Sequence, residues 1–459
     1  MKHLTCTATI FGTVLAIGCG GTSGTTASAS GESTGNSSSP TTAETSTSAS
    51  TSDSNSGASM TSSATNASAE TTGDTAADEV GEEGPLPVKL DVFGQPDAPG
   101  AGPCGEGKGK GGGNGVDPDF SYIWVANSGE GTVSKINTVS LEEEGRYWTR
   151  MDPGGSPSRT SVSLNGDVAV ANRSGGVIKI AARAESCPDA NNTSSGAADV
   201  KPFPDGCVVW FTPFNYTSQR PVAWAPGEWS DASCSWENEM LWTSGAQGEA
   251  VEVLLLNGED GAVEETIPIL GTPAQYYGIY GAASDADGNF WGSQLGVGNL
   301  VRVDRNTFEY EEHPMALNGY GMTVDTEGRA WTCSSGVARF DPDDGTWQTN
   351  ANVGGGGGCM VDGEGTLWLG GYGNAGGQLI GVDTETLMVT QQIPIPEYVH
   401  GVSIDFYGYI WGVGFGQSAY RVDKDDLSFE TFAGLVGPYT YSDMTGWALS
   451  NVVGGTPSG

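Results

Sequence analysis

The stretch Asp285-Ala-Asp-Gly-Asn-Phe-Trp291, DADGNFW, carries three oxygen-bearing side chains, Asp285, Asp287 and Asn289, in the alternation that opens many calcium loops. Counted from Asp285, the sixth residue is Phe290 and the twelfth is Gly296, where an EF-hand loop needs Gly and Glu. The stretch recurs as DTEGRAW at Asp325, DGEGTLW at Asp362 and DFYGYIW at Asp405. The sister copies replace Asp287 by Glu or Tyr and Asn289 by Arg, Thr or Tyr. What persists is the Asp, a Gly three residues on and a Trp six residues on. The pattern therefore reads as a turn followed by a packing anchor, and the apparent ligand set as incidental.

The four anchors, Trp291, Trp331, Trp368 and Trp411, are spaced by 40, 37 and 43 residues. A motif returning at about 40-residue intervals suggests propeller blades. Composition agrees: 72 Gly, 13 Trp and only 16% charged residues in 459 favour short strands and tight turns over helices. Each copy has the same order of parts. A short apolar run such as Gly321–Val324 or Gly401–Ile404 leads into the turn, and the Trp opens a second strand. A third strand ends at Asp304, Asp341, Asp383 or Asp423, and an edge-like fourth follows, as in Phe308–His313 or Met388–Ile393. The Asp can cap the turn with its side chain, and the Gly supplies a positive φ.

Three weaker copies precede these, at Tyr122–Asn137, Thr160–Ile180 and Glu239–Leu256, making seven units. The first lacks a first strand of its own, while Tyr441–Leu449 reads as a first strand with no blade after it. The expected fold is all-β: a seven-bladed β-propeller of four-stranded antiparallel blades over residues 117–451, closed by the C-terminal strand. Closure would complete blade 1 and remove the exposed sheet edges that invite aggregation.

A polar insertion at about residues 182–207 breaks the period, and is expected between blades 2 and 3. It carries Cys187 and Cys207 at its ends, the best candidate disulfide. Cys333 and Cys359 fall in adjacent blades and form a second candidate, leaving Cys104 with Cys234 by elimination. Buried thiols are the alternative for any of these pairs. Within the insertion, Asp189, Asn191, Thr193 and Asp199 form a weak candidate calcium loop, with a solvated loop the blander reading.

Residues 1–19 read as an export signal. The apolar run Leu4–Gly18 is shorter than the ~20 residues a membrane helix needs. It ends in VLAIGC, which resembles a bacterial lipobox with Cys19 as the lipid-attachment residue; ordinary secretion is the alternative. Residues 20–116 are read as a disordered stalk and linker rich in Ser, Thr and Gly. The Gly-rich piece Pro103–Gly115 lacks the G-K-[ST] ending of a phosphate loop. The expected location is the cell envelope, lipid-anchored at the outer membrane or cell surface. A net charge of −37 argues against nucleic acid as a partner, and a monomer is expected.

With stretches such as YGMTVDTEGRAWTCSSGVARFDPDDG (Tyr320–Gly345) in view, the chain resembles the streptogramin (virginiamycin B) lyase-like seven-bladed propellers. The resemblance runs from about Tyr122 to Leu449 and is strongest over Tyr277–Thr431. It implies the propeller fold, a magnesium site and a catalytic His/Glu set near the central channel. VHGVS (Val399–Ser403) places His400 at such a histidine position. No Glu follows the blade Trp or its equivalent, where the segments read VANSG, ANRSG, TSGAQG, GSQLG, TCSSG, LGGYG and GVGFG.

No H-E-x-x-H, C-x-x-C, G-x-S-x-G or P-loop occurs. Beyond the signal the only histidines are His313 and His400. Tyr276, Tyr277, Tyr280 and Tyr320 precede or begin first strands and are candidates to line the propeller face. The leading expectation is a surface-anchored binding lipoprotein without a cofactor, taking a protein, peptide or carbohydrate at that face. The alternative is a divergent lyase or hydrolase that uses His400 and a divalent metal such as Mg or Ca.

Overall fold

The computed structural model describes residues 121–454. The signal, Cys19, the stalk and Cys104 lie outside the described residues. Six blades are four-stranded antiparallel meanders in simple sequence order. Their inner strands are Pro157–Val162, Ser218–Ala225, Ile279–Ser284, Gly321–Val324, Gly356–Val361 and Val399–Ile404, in blades 2 to 7. Successive inner strands are neighbours around a central channel.

Blade 1 supplies only three strands of its own, Tyr122–Asn127, Thr132–Asn137 and Glu143–Trp148. The chain's far end takes the inner position. Gly129 donates to Val436 O at 3.2 Å, Tyr439 donates to Ala126 O at 3.0 Å, and Trp124 donates to Met444 O at 2.8 Å. Asn127 and Pro438 form an antiparallel bridge. The ring is thus closed as expected, in an irregular way and over a different stretch. Pairing begins near Val436 and ends at Met444, and Trp447–Val453 is a helix instead of a strand. Gly446, at φ 89°, turns the chain inward. Ala448, Leu449, Val452 and Val453 then recur at helical spacing, and a helix satisfies its own backbone where no strand edge remains to pair with. The helix packs on the inner strands of blades 4 and 5, and Trp447 Nε1 donates to Val361 O at 2.9 Å.

The repeated turn has one geometry. In Asp285 one carboxylate oxygen accepts the Asp287 and Asn289 backbone N–H groups, at 3.1 and 2.9 Å, and the other accepts the Trp291 indole at 2.9 Å. Asn289 spends its amide on Asp285 and accepts from Arg305 N, so no calcium ligand set remains. The Gly288 φ of 78° closes the turn. The anchored tryptophans, with Trp124 and Trp242, are fully buried between sheets. Each apolar cluster spans neighbouring blades: Trp242 and Val253 of blade 3 meet Ile279 and Phe290 of blade 4. Ile123 and Val125 of blade 1 meet Trp411 and Val413 of blade 7, which seals the ring.

Two features depart from the period. The insertion lies inside blade 2, between its third strand Val177–Ile180 and its fourth strand Val208–Thr212, not between blades 2 and 3. Cys187–Cys207 closes it. In blade 3 the Asp turn is replaced by a hairpin, Glu228–Ser230 paired with Ser235–Glu237. Cys333–Cys359 links blade 5 to blade 6. Cys234 is disulfide-bonded, while its expected partner Cys104 lies outside the described residues.

Candidate functional site: the mouth of the central channel

Every inner strand begins at the same face of the ring, and there its first residues converge. Blades 2 and 3 contribute Arg159 and Arg220, blade 4 Tyr280, blade 5 Tyr320 from the residue before its strand, and blade 7 His400. The closing segment adds Tyr439 and Tyr441, and Arg173 follows the second strand of blade 2. Blade 6 offers only Gly356, Gly357 and Gly358. A Cβ on Gly358 would stand 2.8 Å from the Tyr441 Cβ, so the absent side chain is what admits the Tyr441 ring.

His400 is buried and belongs to a directed chain of hydrogen bonds. Tyr398 Oη donates to Gly356 O at 2.7 Å, so toward His400 Nδ1, at 3.4 Å, it acts as acceptor. That assigns the proton of the neutral imidazole to Nδ1 and leaves Nε2 to accept from Tyr320 Oη at 2.9 Å. Tyr320 in turn accepts from Tyr439, and Tyr439 from Tyr280, each at 2.7 Å. Burial, then the charges of Arg159 and Arg173, hold the His400 pKa well below its ordinary value, so the imidazole is neutral near pH 7. Burial, reinforced by the neighbouring phenols Tyr280 and Tyr439, raises Tyr320.

The guanidiniums lie on the tyrosine faces. Arg159 is 3.1 Å from the Tyr441 centroid and 4.7 Å from that of Tyr280. Arg173 is 4.1 Å from Tyr439, and Arg220 is 4.1 Å from Tyr277 and 4.9 Å from Tyr280. Such cation–π contacts offset part of the cost of burying charge. Burial lowers Arg159 to about 9, so it stays charged at neutral pH.

Around this core stands a rim of exposed rings: Tyr276 is 88% exposed, Tyr372 67%, Phe415 46% and Tyr277 38%. Tyr372 stacks on Tyr398 at 4.2 Å, and Phe415 packs on His400 at 4.1 Å, so the rim is continuous with the floor.

No family model matches the chain, and no curated protein matches it. Solved structures do. Streptogramin B lyase is similar at 15% identity over 65% of this chain and 92% of its own, with a TM-score of 0.46. A functionally unknown protein from Desulfotomaculum acetoxidans is similar at 10% identity over 70% of this chain and 98% of its own, TM-score 0.49. The WD40 β-propeller domain of Doa1 is similar at 12% identity over 62% and 85%, TM-score 0.43. The likeness read from the repeats is thus found again among folds. None of these matches carries an activity to this chain.

The magnesium site implied by the resemblance does not fit the residues present. The groups around His400 are phenols and guanidiniums, and cations repel a divalent ion that prefers carboxylate oxygen. Among the described residues no three His, Cys, Asp or Glu side chains form a cluster. His313 lies on the outer strand Tyr310–Pro314 of blade 4, against Phe340. In the insertion, Asp199 pairs with Lys201 at 2.6 Å and Thr193 donates to Asp205 at 2.8 Å, while Asp189 and Asn191 face solvent. The four candidate ligands share no common centre. Buried Asp205 organises that loop instead, also accepting from Ser194 and Cys207.

Sequence reasoning named Tyr276, Tyr277, Tyr280, Tyr320 and His400 but missed Arg159, Arg173, Arg220, Tyr439 and Tyr441. The residue five before each turn Asp reads Tyr280, Tyr320, Gly357 and His400, but blades 2 and 3, which supply the arginines, lack that Asp, so the repeat register does not reach them.

Proposed function

We propose that this chain is a binding protein whose ligand, a saccharide or peptide, seats over the mouth of the propeller channel. The observation that carries this reading is the exposed aromatic rim of Tyr276, Tyr277, Tyr372 and Phe415 around the mouth. Large ring faces left in water beside a packed polar floor are a common feature of ligand-stacking sites. A screen of immobilised oligosaccharides and peptides tests the reading. Tyr372→Ala should weaken any specific binding at least tenfold while leaving the fold intact. Binding that Tyr372→Ala and Tyr276→Ala both leave unchanged would move the site elsewhere.

A lyase or hydrolase centred on His400 is the second reading. It is favoured by the Tyr320 hydroxyl lying 2.9 Å from Nε2, a phenol–imidazole pair through which a proton can pass. Turnover of a carbon–oxygen bond that disappears in His400→Ala would establish it and displace the binding reading.

The setting we propose is the cell envelope, supported by the signal-like residues 1–19 and the Ser/Thr-rich residues 20–116. Metabolic palmitate labelling that is lost in Cys19→Ala tests the lipid anchor.

A further inference from the structure

The chain has 19 basic residues against 56 acidic ones, and the fold gives nearly every buried cation a carboxylate. Lys135 lies 3.7 Å from Glu144, Lys179 3.2 Å from Asp167, Arg146 2.7 Å from Glu143 and Arg329 2.7 Å from Asp325. Arg339 is 3.6 Å from Glu385, and Arg421 pairs with Glu430. The buried exceptions among the described residues are Arg159 and Arg220, and both are at the channel mouth. Half-buried Arg173, also without a carboxylate, stands beside them. Arg302 and Arg305 lack ion pairs as well, but they are half-buried in blade 4, away from this group.

The three share rings. Arg159 and Arg220 both lie over Tyr280, at 4.7 and 4.9 Å, and Arg159 and Arg173 both approach Tyr439, at 6.0 and 4.1 Å. Their protein hydrogen bonds leave donors over. Arg159 donates from Nε to Tyr280 O and from Nη1 to Ser158 O, but its buried Nη2 has no partner. Arg173 donates from Nη2 to Ser128 Oγ, and its buried Nε has none. Arg220 donates from Nε to Ser218 Oγ. Three like charges gathered with unmatched buried donors are costly unless an anion joins them.

We propose that Arg159, Arg173 and Arg220 form an oxyanion subsite that receives a carboxylate, sulfate or phosphate group at the mouth of the channel. The guanidinium donors bind the oxygens, and the tyrosine faces hold the guanidiniums in place. The inference rests on the binding reading only for the location of the site; it adds the charge of what is bound.

Calorimetric titration of the full chain tests it, with sulfate, phosphate, glucuronate and glucose as probes and sodium chloride at matched ionic strength as control. Saturable binding of at least one oxyanion at millimolar concentration or below is expected, with none for glucose. Arg220→Gln and Arg173→Gln should each weaken it at least tenfold. Relief of like-charge repulsion should leave the unliganded variants melting no lower than the parent, which separates lost binding from lost fold. Glucuronate binding well above sulfate and phosphate assigns the anion to a ligand-borne carboxylate; the reverse assigns a tetrahedral oxyanion. Absence of saturable oxyanion binding, or binding indifferent to both substitutions, overturns the subsite. A saccharide or peptide that still binds through Tyr372 in the arginine variants would then leave the binding reading standing without it.

Discussion

The Asp285 carboxylate accepts the indole N–H of Trp291, six residues along the chain, at 2.9 Å. Asp325 and Trp331, Asp362 and Trp368, and Asp405 and Trp411 repeat the bond at 2.8, 3.1 and 2.9 Å. One buried carboxylate therefore closes the turn and orients the ring that packs against the next blade. The residue that shapes the hairpin also sets the spacing between sheets.

Removing that acceptor strands two turn N–H groups and a buried indole. Asp362→Ala should cost about 2–3 kcal/mol in urea unfolding. Asp325→Ala should cost about 1 kcal/mol more, because Arg329 then loses its 2.7 Å partner as well. Equal losses at the two positions would show that Arg329 adds no more to its turn than Lys424, 3.9 Å from Asp362, adds to the other.

Closure depends on the last residues. Deleting 441–459 removes the Met444 carbonyl that pairs with Trp124, the Tyr441 ring of the floor and the Trp447–Val453 helix. The domain should lose cooperative thermal unfolding and bind hydrophobic dyes. A truncated chain that melts as before would refute closure by this segment.

The closing segment also needs room. A Cβ on Gly401 would lie 2.2 Å from Thr440 O, a backbone atom that cannot rotate away. Gly401→Ala should destabilise by about 2 kcal/mol or more. Gly248→Ala, with φ 60° and nothing within 4 Å, should cost only about 1 kcal/mol. Similar midpoints for the two variants in a denaturant titration would contradict this.

Burial raises the carboxyls of Asp443 and Glu239, as it does that of Asp405 in its turn. Asp443 rises to about 6 although Gly446 and Leu449 donate to it, and Glu239 rises to about 7 against the charge of Lys179. Both groups hold protons more tightly in the folded state than in the unfolded state, where values near 4 apply. Their contribution is fully present below about pH 4 and is lost as pH rises through 6 to 7. The melting temperature should therefore rise on acidification from pH 8 to 5. Asp443→Asn should remove part of that slope, on the order of 3 kcal/mol or less. An unaltered slope in the variant would rule Asp443 out as a contributor.

The blade count, the turns and the pairs Cys187–Cys207 and Cys333–Cys359 were legible in the chain, because each follows from residues close in sequence or from a repeat. Asp, Gly and Trp within seven residues make bonds that need no distant partner, so the pattern carries its own geometry. The closing stretch was harder to read. Tyr441–Leu449 stands where the repeat calls for a first strand, but at the end of a completed ring a helix is what pairs its own backbone. The insertion could not be placed inside blade 2, since the fourth strand Val208–Thr212 lacks the turn signals of the other blades. The channel mouth was the least legible part. Arg159, Arg220, Tyr280, Tyr320, His400 and Tyr441 lie up to 282 positions apart in the chain and meet only because ring closure brings every inner strand to one face. Local chemistry is enough to build a blade, whereas the electrostatics of the mouth exist only once blades far apart in sequence share one axis.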